Sequence, residues 1–204
     1  MKALMLKNWL TLRKGNSLFL VFIVVYAIAG AFLDQAFYAW FVALFCALMP
    51  KSVMAFDERS GWQRCSAVLP LPRRMQVESI YLMSMICVVL GTLVLCGGRT
   101  LVSLATARPF VEMSIPATTA LMLSTGLLLC ALNYPFIFRF GVEKGRSATM
   151  MASVGIAVFL FLVGNSMDLS LLPRMTLPLL LVLSLLAWLG SMMLSIRWFE
   201  ARDL

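Results

Sequence analysis

The sequence predicts an all-α integral membrane protein, and three observations lead to this class. Hydrophobic residues make up 62% of the 204 residues and charged residues only 13%, whereas water-soluble domains have roughly half and roughly a quarter. The mean hydropathy is +0.94. The charges lie between uncharged stretches, each near the roughly 20 residues that a helix needs to cross a bilayer. These stretches lack the alternation of barrel strands, so a helical bundle is expected.

The N-terminal segment 1–15 is predicted to form an amphipathic helix on the inner membrane surface. Its polar and apolar side chains separate on the helix surface into two faces, Lys7, Thr11 and Lys14 against Met5, Trp9 and Leu12. Such a separation is typical of interfacial helices. The charged lead before the first apolar run is too long for the usual signal peptide, so the first span is expected to be retained.

Six transmembrane helices follow, one for each apolar stretch, and the whole chain 1–204 is predicted to be one transmembrane domain. The spans are predicted at residues 17–33, 36–56, 78–98, 115–138, 147–166 and 176–196.

The basic residues predict the orientation. With a cytoplasmic N-terminus, only Arg99, Arg108 and Arg174 of the 17 Lys and Arg residues fall on the outer side. The other 14 (17 − 3) fall on the inner side, as the positive-inside rule requires. Both termini are therefore expected in the cytoplasm. The net charge of +8 indicates topology and contact with anionic membrane lipid, with no nucleic-acid partner.

The chain has few groups that support catalysis, and no catalytic or metal site is predicted. It contains no histidine, which removes the commonest general base and the usual Ser/His and Cys/His systems. Cys46, Cys87, Cys96 and Cys130 lie in the spans and Cys65 in an inner loop, so neither disulfides nor structural zinc are expected. No carboxylate lies in the interior of a span, which disfavours a proton-driven transporter.

The chain is also not expected to bind ATP by itself. Its nearest glycine-rich stretch, 141–147, has the wrong spacing for a P-loop and an Arg where the P-loop needs Lys. Energy for any transport must therefore come from another protein.

The most informative segment is the inner loop 57–75. Asp57 and Glu58 suit the start of a short helix, and Leu69-Pro70 suits its end. Trp62 lies between them with Arg59 and Arg64 on either side. An indole flanked by arginines is either a membrane-interface anchor or a docking residue for another protein, since Trp and Arg dominate interface hot spots.

At this loop the sequence resembles the short ABC-2 type permeases of bacterial ABC exporters. The residues that carry the resemblance are an acidic pair, a Trp, Leu-Pro, a basic residue and a Tyr at the start of the next helix, here Asp57-Glu58, Trp62, Leu69-Pro70, Arg73 and Tyr81. The motif covers residues 56–81, and the six-span layout covers the whole chain. Many relatives have Lys before that Tyr, where this chain has Ile80, so no role of that lysine carries over.

The resemblance implies a partner and an assembly. Loop 57–75 resembles the coupling helix that rests in a groove of a separate ABC ATPase. Two ATPase copies would work with two permeases, either two copies of this chain or this chain and a homologous permease. This chain would bind no cofactor, because ATP and Mg²⁺ would be bound by the ATPase. The location implied is the bacterial cytoplasmic membrane, and the direction is export.

Residues that line a translocation path are harder to identify. Asn133 and Pro135 in the fourth predicted span and Asn165 at the end of the fifth are the polar or helix-breaking exceptions. Because the spans offer no charged site, an apolar or amphipathic cargo is expected, such as a peptide or an antimicrobial compound.

Two alternatives remain open at the level of sequence. A substrate-binding subunit of an energy-coupling-factor vitamin importer would also have six helices, and Ala27 and Ala31 form a small-residue face that such a subunit could use to dock. An intramembrane lipid-modifying enzyme is the other alternative, and the lack of histidine or acidic clusters argues against it.

Overall fold

The computed structural model describes residues 2–15, 17–33, 36–62, 65–66, 72–106, 115–142, 145 and 176–201. Within these ranges the backbone forms helices joined by turns, with no strand, which confirms the all-α class. In chain order the helices are α1 (Lys2–Gly15), α2 (Ser17–Leu33), α3 (Ala36–Arg59), α4 (Arg73–Thr106), α5 (Ile115–Phe140) and α6 (Thr176–Glu200).

Four helices in the described ranges are long and apolar enough to cross a membrane, and the count is five if α1 and α2 together form one bent span. The four are Tyr38–Arg59, Arg73–Ala105, Ile115–Phe140 and Pro178–Glu200. The axes of Lys2–Arg13 and Leu18–Phe32 meet at 76°. The predicted span 147–166 lies outside the described residues, so the count of six spans stays a prediction.

The observed helices cover the five predicted spans that fall in the described residues and extend beyond several of them. The largest difference is α4, which begins at Arg73 and ends at Thr106, whereas the sequence predicts a span at 78–98. The prediction ended that span before Arg99 because a charge normally marks the edge of the membrane. In the structure Arg99 lies within the helix with 1% of its surface exposed, and the helix continues past it.

Helix α4 is the centre of the bundle, since it packs against each of the other five described helices. Glycine allows two of these contacts to be close. A Cβ atom at Gly91 of α4 would overlap Sγ of Cys46 in α3, and a Cβ atom at Gly126 of α5 would lie 2.7 Å from Cγ1 of Val88. Close backbone approach is the usual way to pack helices in lipid, where burial of apolar surface gives no extra driving force.

Helices α2 and α3 pack through aromatic rings. The ring of Phe22 stacks on Phe45 with centroids 5.5 Å apart, and the ring of Tyr26 stacks on Phe41 at 5.1 Å. Such pairs add modest attraction beyond the area that they bury. They hold the short helix α2 against the bundle.

The small-residue face of α2 is used inside the chain. Ala27 and Ala31 are only 4% and 3% exposed, and α2 packs against α3 and α4. A face buried within the bundle is not free for another subunit. The observation that favoured the importer alternative is therefore explained by internal packing.

Candidate functional site

The candidate site lies at the end of the bundle where α1 crosses α3 and α4. Leu4, Asn8 and Leu12 recur at four-residue spacing on α1 and are all nearly fully buried, so this face packs onto the bundle. The Asn8 amide donates a hydrogen bond to Oγ of Ser79 on α4 at 3.2 Å, and Ser79 donates to the carbonyl of Gln76 at 2.8 Å. These bonds fix the position of α1 along α4.

Lys7 brings α1 together with the segment formed by the last turn of α3 and the residues up to Trp62. Its ammonium group donates to both carboxylate oxygens of Asp57, and Nζ lies 4.5 Å from the centre of the Trp62 ring. The ion pair is mostly shielded, with 25% of the Lys7 side chain and 14% of the Asp57 side chain exposed. One lysine thus holds both Asp57 and Trp62, two residues of the motif that resembles a coupling helix.

Glu58 connects the same segment to the end of α5. Its carboxylate accepts a hydrogen bond from the backbone N–H of Val142. The chain leaves α5 through Gly141, which has a φ of 83°, a left-handed conformation that glycine adopts without strain. Gly61, with a φ of 68°, makes the corresponding turn after α3. The two glycine turns allow Glu58 and Val142 to meet.

A small cavity lies between α1 and the ends of α3 and α5. Its volume is about 40 Å³, and its walls include Asn8, Asp57, Trp62 and Ile80. A space of this size holds about three or four water molecules at most, because each needs at least about 10–15 Å³. It is too small for a transported compound. The cluster of Lys7, Asp57, Glu58 and Trp62 therefore holds helix ends together and is not a cargo site; we call this cluster the joint.

The other predicted coupling residues are placed as follows. Arg59 is exposed at the end of α3, and Arg73 at the start of α4 donates to the carbonyl of Glu200 at 3.1 Å. Residues 64, 69 and 70 lie outside the described residues. Asp57 and Glu58 lie in the last turn of α3, so the prediction that they start a short helix is wrong. The backbone is helical at Trp62 and again at 65–66, and a complete coupling helix stays a prediction.

Asn133 and Pro135, the predicted path residues within the described part of the chain, line neither the small cavity beside α1 nor the open groove between α1 and α4. Asn133 donates within its own helix to the carbonyl of Leu129 at 2.7 Å. Pro135 is buried, and α5 continues through it to Phe140. Asn165 lies outside the described residues. The role of these residues in transport stays a prediction.

The sequence analysis missed a buried polar network around Tyr81, which it noted only as a motif residue. The Tyr81 hydroxyl lies 2.8 Å from Oγ of Ser191 and 2.7 Å from Oγ of Ser195 on α6. Ser191 donates its proton to the carbonyl of Ala131 on α5 at 2.6 Å. Tyr81 must therefore donate to Ser191 and accept from Ser195. The network joins α4, α5 and α6 about two helical turns from the start of α4.

A second tyrosine extends these connections to α3. The fully buried Tyr134 of α5 packs edge-on against Tyr81 with ring centroids 5.3 Å apart, and its hydroxyl donates to the carbonyl of Ala47 at 3.2 Å. The signal in the sequence was the occurrence of hydroxyl residues at Ser191 and Ser195, one helical turn apart, in an otherwise apolar span. Their meeting with Tyr81 required the tertiary structure.

The arrangement binds helices together. Among the residues that the structure describes, no group of three or more Cys, Asp or Glu side chains could hold a metal ion. Buried polar contacts link helix ends, and the long apolar helices face outward. This combination defines a polytopic α-helical membrane protein whose polar contacts join its helices.

The comparison with known families identifies the class further. Residues 3–200 match the family described as ABC-2 family transporter protein. The match covers nearly the whole chain, so the protein belongs to this family and is a membrane-spanning permease of the ABC-2 type. A search of curated proteins found no significant match. The family assignment confirms the resemblance that the loop 57–75 and the apolar layout indicated.

Proposed function

We propose that the chain is the permease subunit of a bacterial ABC exporter, driven by ATP that a separate ATPase hydrolyses. The observation that carries the proposal is the joint at Asp57, Glu58 and Trp62. Three helices would sense a force on this segment, because Lys7 links it to α1, Glu58 links it to the end of α5, and its own chain continues from α3. ABC-2 family membership supports an ATPase as the source of that force.

The contacts at the helix ends support a route by which movement of the loop would reach the rest of the bundle. Asp57 and Glu58 end a helix that packs against α2, α4 and α5. Arg73, near the end of the loop and at the start of α4, donates to the backbone carbonyl of Glu200 at the end of α6. Movement of the loop by a docked ATPase would thus shift the ends of several packed helices together, as expected for a rigid-body change.

The proposed orientation places this end in the cytoplasm of a bacterial cell. The contacts Asn8–Ser79 and Arg73–Glu200 support one shared end for α1, the start of α4 and the end of α6. Arg59, Arg139 and Arg197 lie at or near helix ends on the same side. A concentration of basic residues at one end of a bundle favours the inner side of the membrane.

The proposed assembly has two permeases and two ATPase subunits, with ATP and Mg²⁺ bound by the ATPases. The second permease is another copy of this chain or a homologous one. The proposed cargo is apolar or amphipathic, because the described spans offer outward apolar faces and no carboxylate in their middle. No observation in the structure favours the vitamin-importer alternative, since Ala27 and Ala31 are used internally.

Purification from native membranes tests the proposal. A tagged chain extracted in mild detergent is expected to bring down an ABC ATPase in about equal amount and to show ATP hydrolysis. A variant of that ATPase without its P-loop lysine should still bind but should not hydrolyse ATP or support export. Export of cargo by the permease alone, without any ATPase, would contradict the proposal.

A further inference from the structure

A second surface of α1 forms an open apolar groove that the joint does not use. The groove has a volume of about 430 Å³ and lies between α1 and α4. Its lining residues are Lys2, Met5, Leu6, Trp9, Met83 and Ile86. Met83 is almost fully buried and forms the floor, while Leu6 and Trp9 are 60% and 42% exposed. The groove is therefore accessible from outside the bundle.

The groove lies on the membrane side of α1. Asn8 contacts Ser79, whereas the groove residues of α4 are Met83 and Ile86. With a rise of about 1.5 Å per residue, these two lie about 6 Å and about 10 Å further along α4, away from its Arg73 end. Lys7, on the other flank of α1, faces Asp57 and the loop. An occupant would thus have its apolar part toward the membrane interior.

One cation lies at the edge of this apolar surface. Lys2 is exposed and forms no ion pair with any acidic side chain in the part of the chain that the structure describes. Lys7, by contrast, is held by Asp57. The exposed indole of Trp9, an amphipathic side chain that favours the lipid headgroup region, lies in the same groove. One groove thus combines a cation, an indole and an apolar floor, the three kinds of group that suit the headgroup, interface and acyl chain of a lipid.

We propose that this groove binds an anionic phospholipid of the inner leaflet. One acyl chain would lie along Met83 and Ile86, and the phosphate would contact the ammonium group of Lys2. The positive charge selects an anionic headgroup over a zwitterionic one, because a lysine near an anionic membrane surface attracts it measurably. The site would anchor α1 from the side opposite to the joint. It does not involve the ATPase, so its failure would leave the proposed function unaffected.

Fluorescence quenching by brominated lipids tests the site. The full chain is reconstituted in phosphatidylcholine vesicles that contain a minor fraction of phosphatidylglycerol, and bromine is placed on the acyl chains of either lipid at equal mole fraction. The signal of Trp9 is the emission of the wild type minus that of Trp9→Phe. Brominated phosphatidylglycerol is expected to quench this signal more strongly than brominated phosphatidylcholine.

Two matched variants examine the role of charge. Lys2→Gln is expected to reduce the preference for phosphatidylglycerol about fivefold. Arg197→Gln removes one exposed cation from the end of α6 and should leave the preference unchanged. An equal loss in both variants would overturn the proposal, because the preference would then be a general effect of net charge.

Two further results would overturn the proposal. Equal quenching by both lipids would mean that the groove accepts any acyl chain. Absence of quenching by either lipid would mean that protein, such as a second copy of the chain, covers the groove. Native mass spectrometry of the unmodified chain provides a readout that needs no substitution. It should show retained phosphatidylglycerol in excess of phosphatidylcholine, and equal retention would contradict the site.

Discussion

Lys7 of α1 donates to both carboxylate oxygens of Asp57, fifty positions further along the chain. The pair connects a helix at the start of the chain to the segment that belongs to the motif of the ABC-2 family. Since the same ammonium group lies over the Trp62 ring, loss of Lys7 would release two motif residues together. The N-terminal helix is thus part of the joint and more than a flank that sets topology.

Lys7→Met and Asp57→Asn are each expected to lower the free energy of unfolding by about 1–2 kcal/mol. The reason is that the pair is only partly exposed, between the small value of a surface pair and the larger loss at a buried one. Unfolding in mixed micelles with sodium dodecyl sulfate measures the change. The control is Arg74→Met, which breaks the exposed Arg74–Glu78 pair and should hardly change the free energy of unfolding, because water screens an exposed pair. Equal losses at both pairs would contradict the role given to Lys7.

Tyr81→Phe is expected to cost about 1–2 kcal/mol of stability, because it keeps the ring but leaves the buried hydroxyl of Ser195 without Tyr81 as its acceptor. Tyr26→Phe is the matched control. The Tyr26 ring stacks on Phe41, and this contact survives the substitution, so stability should hardly change. The same unfolding measurement applies. An unchanged Tyr81→Phe variant would show that the network around Tyr81 does not hold α4 to α6.

Gly91→Ala is expected to destabilise the bundle by about 1–3 kcal/mol, since the new methyl group overlaps Sγ of Cys46. Cys46→Ala removes that sulfur and should restore most of the loss when combined with Gly91→Ala. Gly97→Ala meets nothing within 4 Å and should be neutral or slightly stabilising, because Ala favours a helix over Gly. Thermal inactivation in detergent distinguishes the variants. A destabilised double variant would show that other atoms limit the contact.

A membrane-impermeant maleimide is expected to label Cys65 only after the cells are opened. Cys65 is the exposed cysteine, whereas Cys46, Cys87, Cys96 and Cys130 are buried. The wild-type chain therefore serves directly, with Cys65→Ser as the control that should not be labelled. Labelling of Cys65 in intact cells would reverse the proposed orientation.

The positions of the helices could be predicted from the sequence because burying a charge in lipid is costly. Charges therefore collect at the ends of the spans and leave uncharged runs between them. At Arg99 the helix extends beyond the predicted span 78–98. There the helix continues to Thr106 and buries the guanidinium, whose Nη1 donates to Oγ1 of Thr118 at 3.3 Å. Local composition carries no sign that a distant threonine will face an arginine.

The candidate site was predicted in part. The motif identified Asp57, Glu58 and Trp62, and these three do lie together. Their contacts with Lys7 and Val142 could not be predicted, because each links positions far apart in the chain. The predicted apolar face of α1 also divides in the structure, since Leu12 packs inward while Trp9 faces the groove.

Trp62→Ala tests the central claim, that the segment after α3 docks on an ABC ATPase. The half-buried Trp62 leaves part of its ring for such a contact, and loss of an anchoring Trp typically costs about 2 kcal/mol or more, equivalent to about thirtyfold weaker binding. The matched control is Trp198→Ala. Trp198 is also half-buried under a cation, with Arg139 4.7 Å from its ring centre, at the same end of the bundle but outside the segment.

The deciding measurement is the amount of ABC ATPase recovered per permease from native membranes that contain equal amounts of each inserted variant. Trp62→Ala is expected to lose most of the ATPase and all ATP-dependent export, while Trp198→Ala keeps both. If Trp62→Ala recovers as much ATPase as the wild type and still supports export, the segment is a membrane anchor and the coupling role assigned to it is wrong.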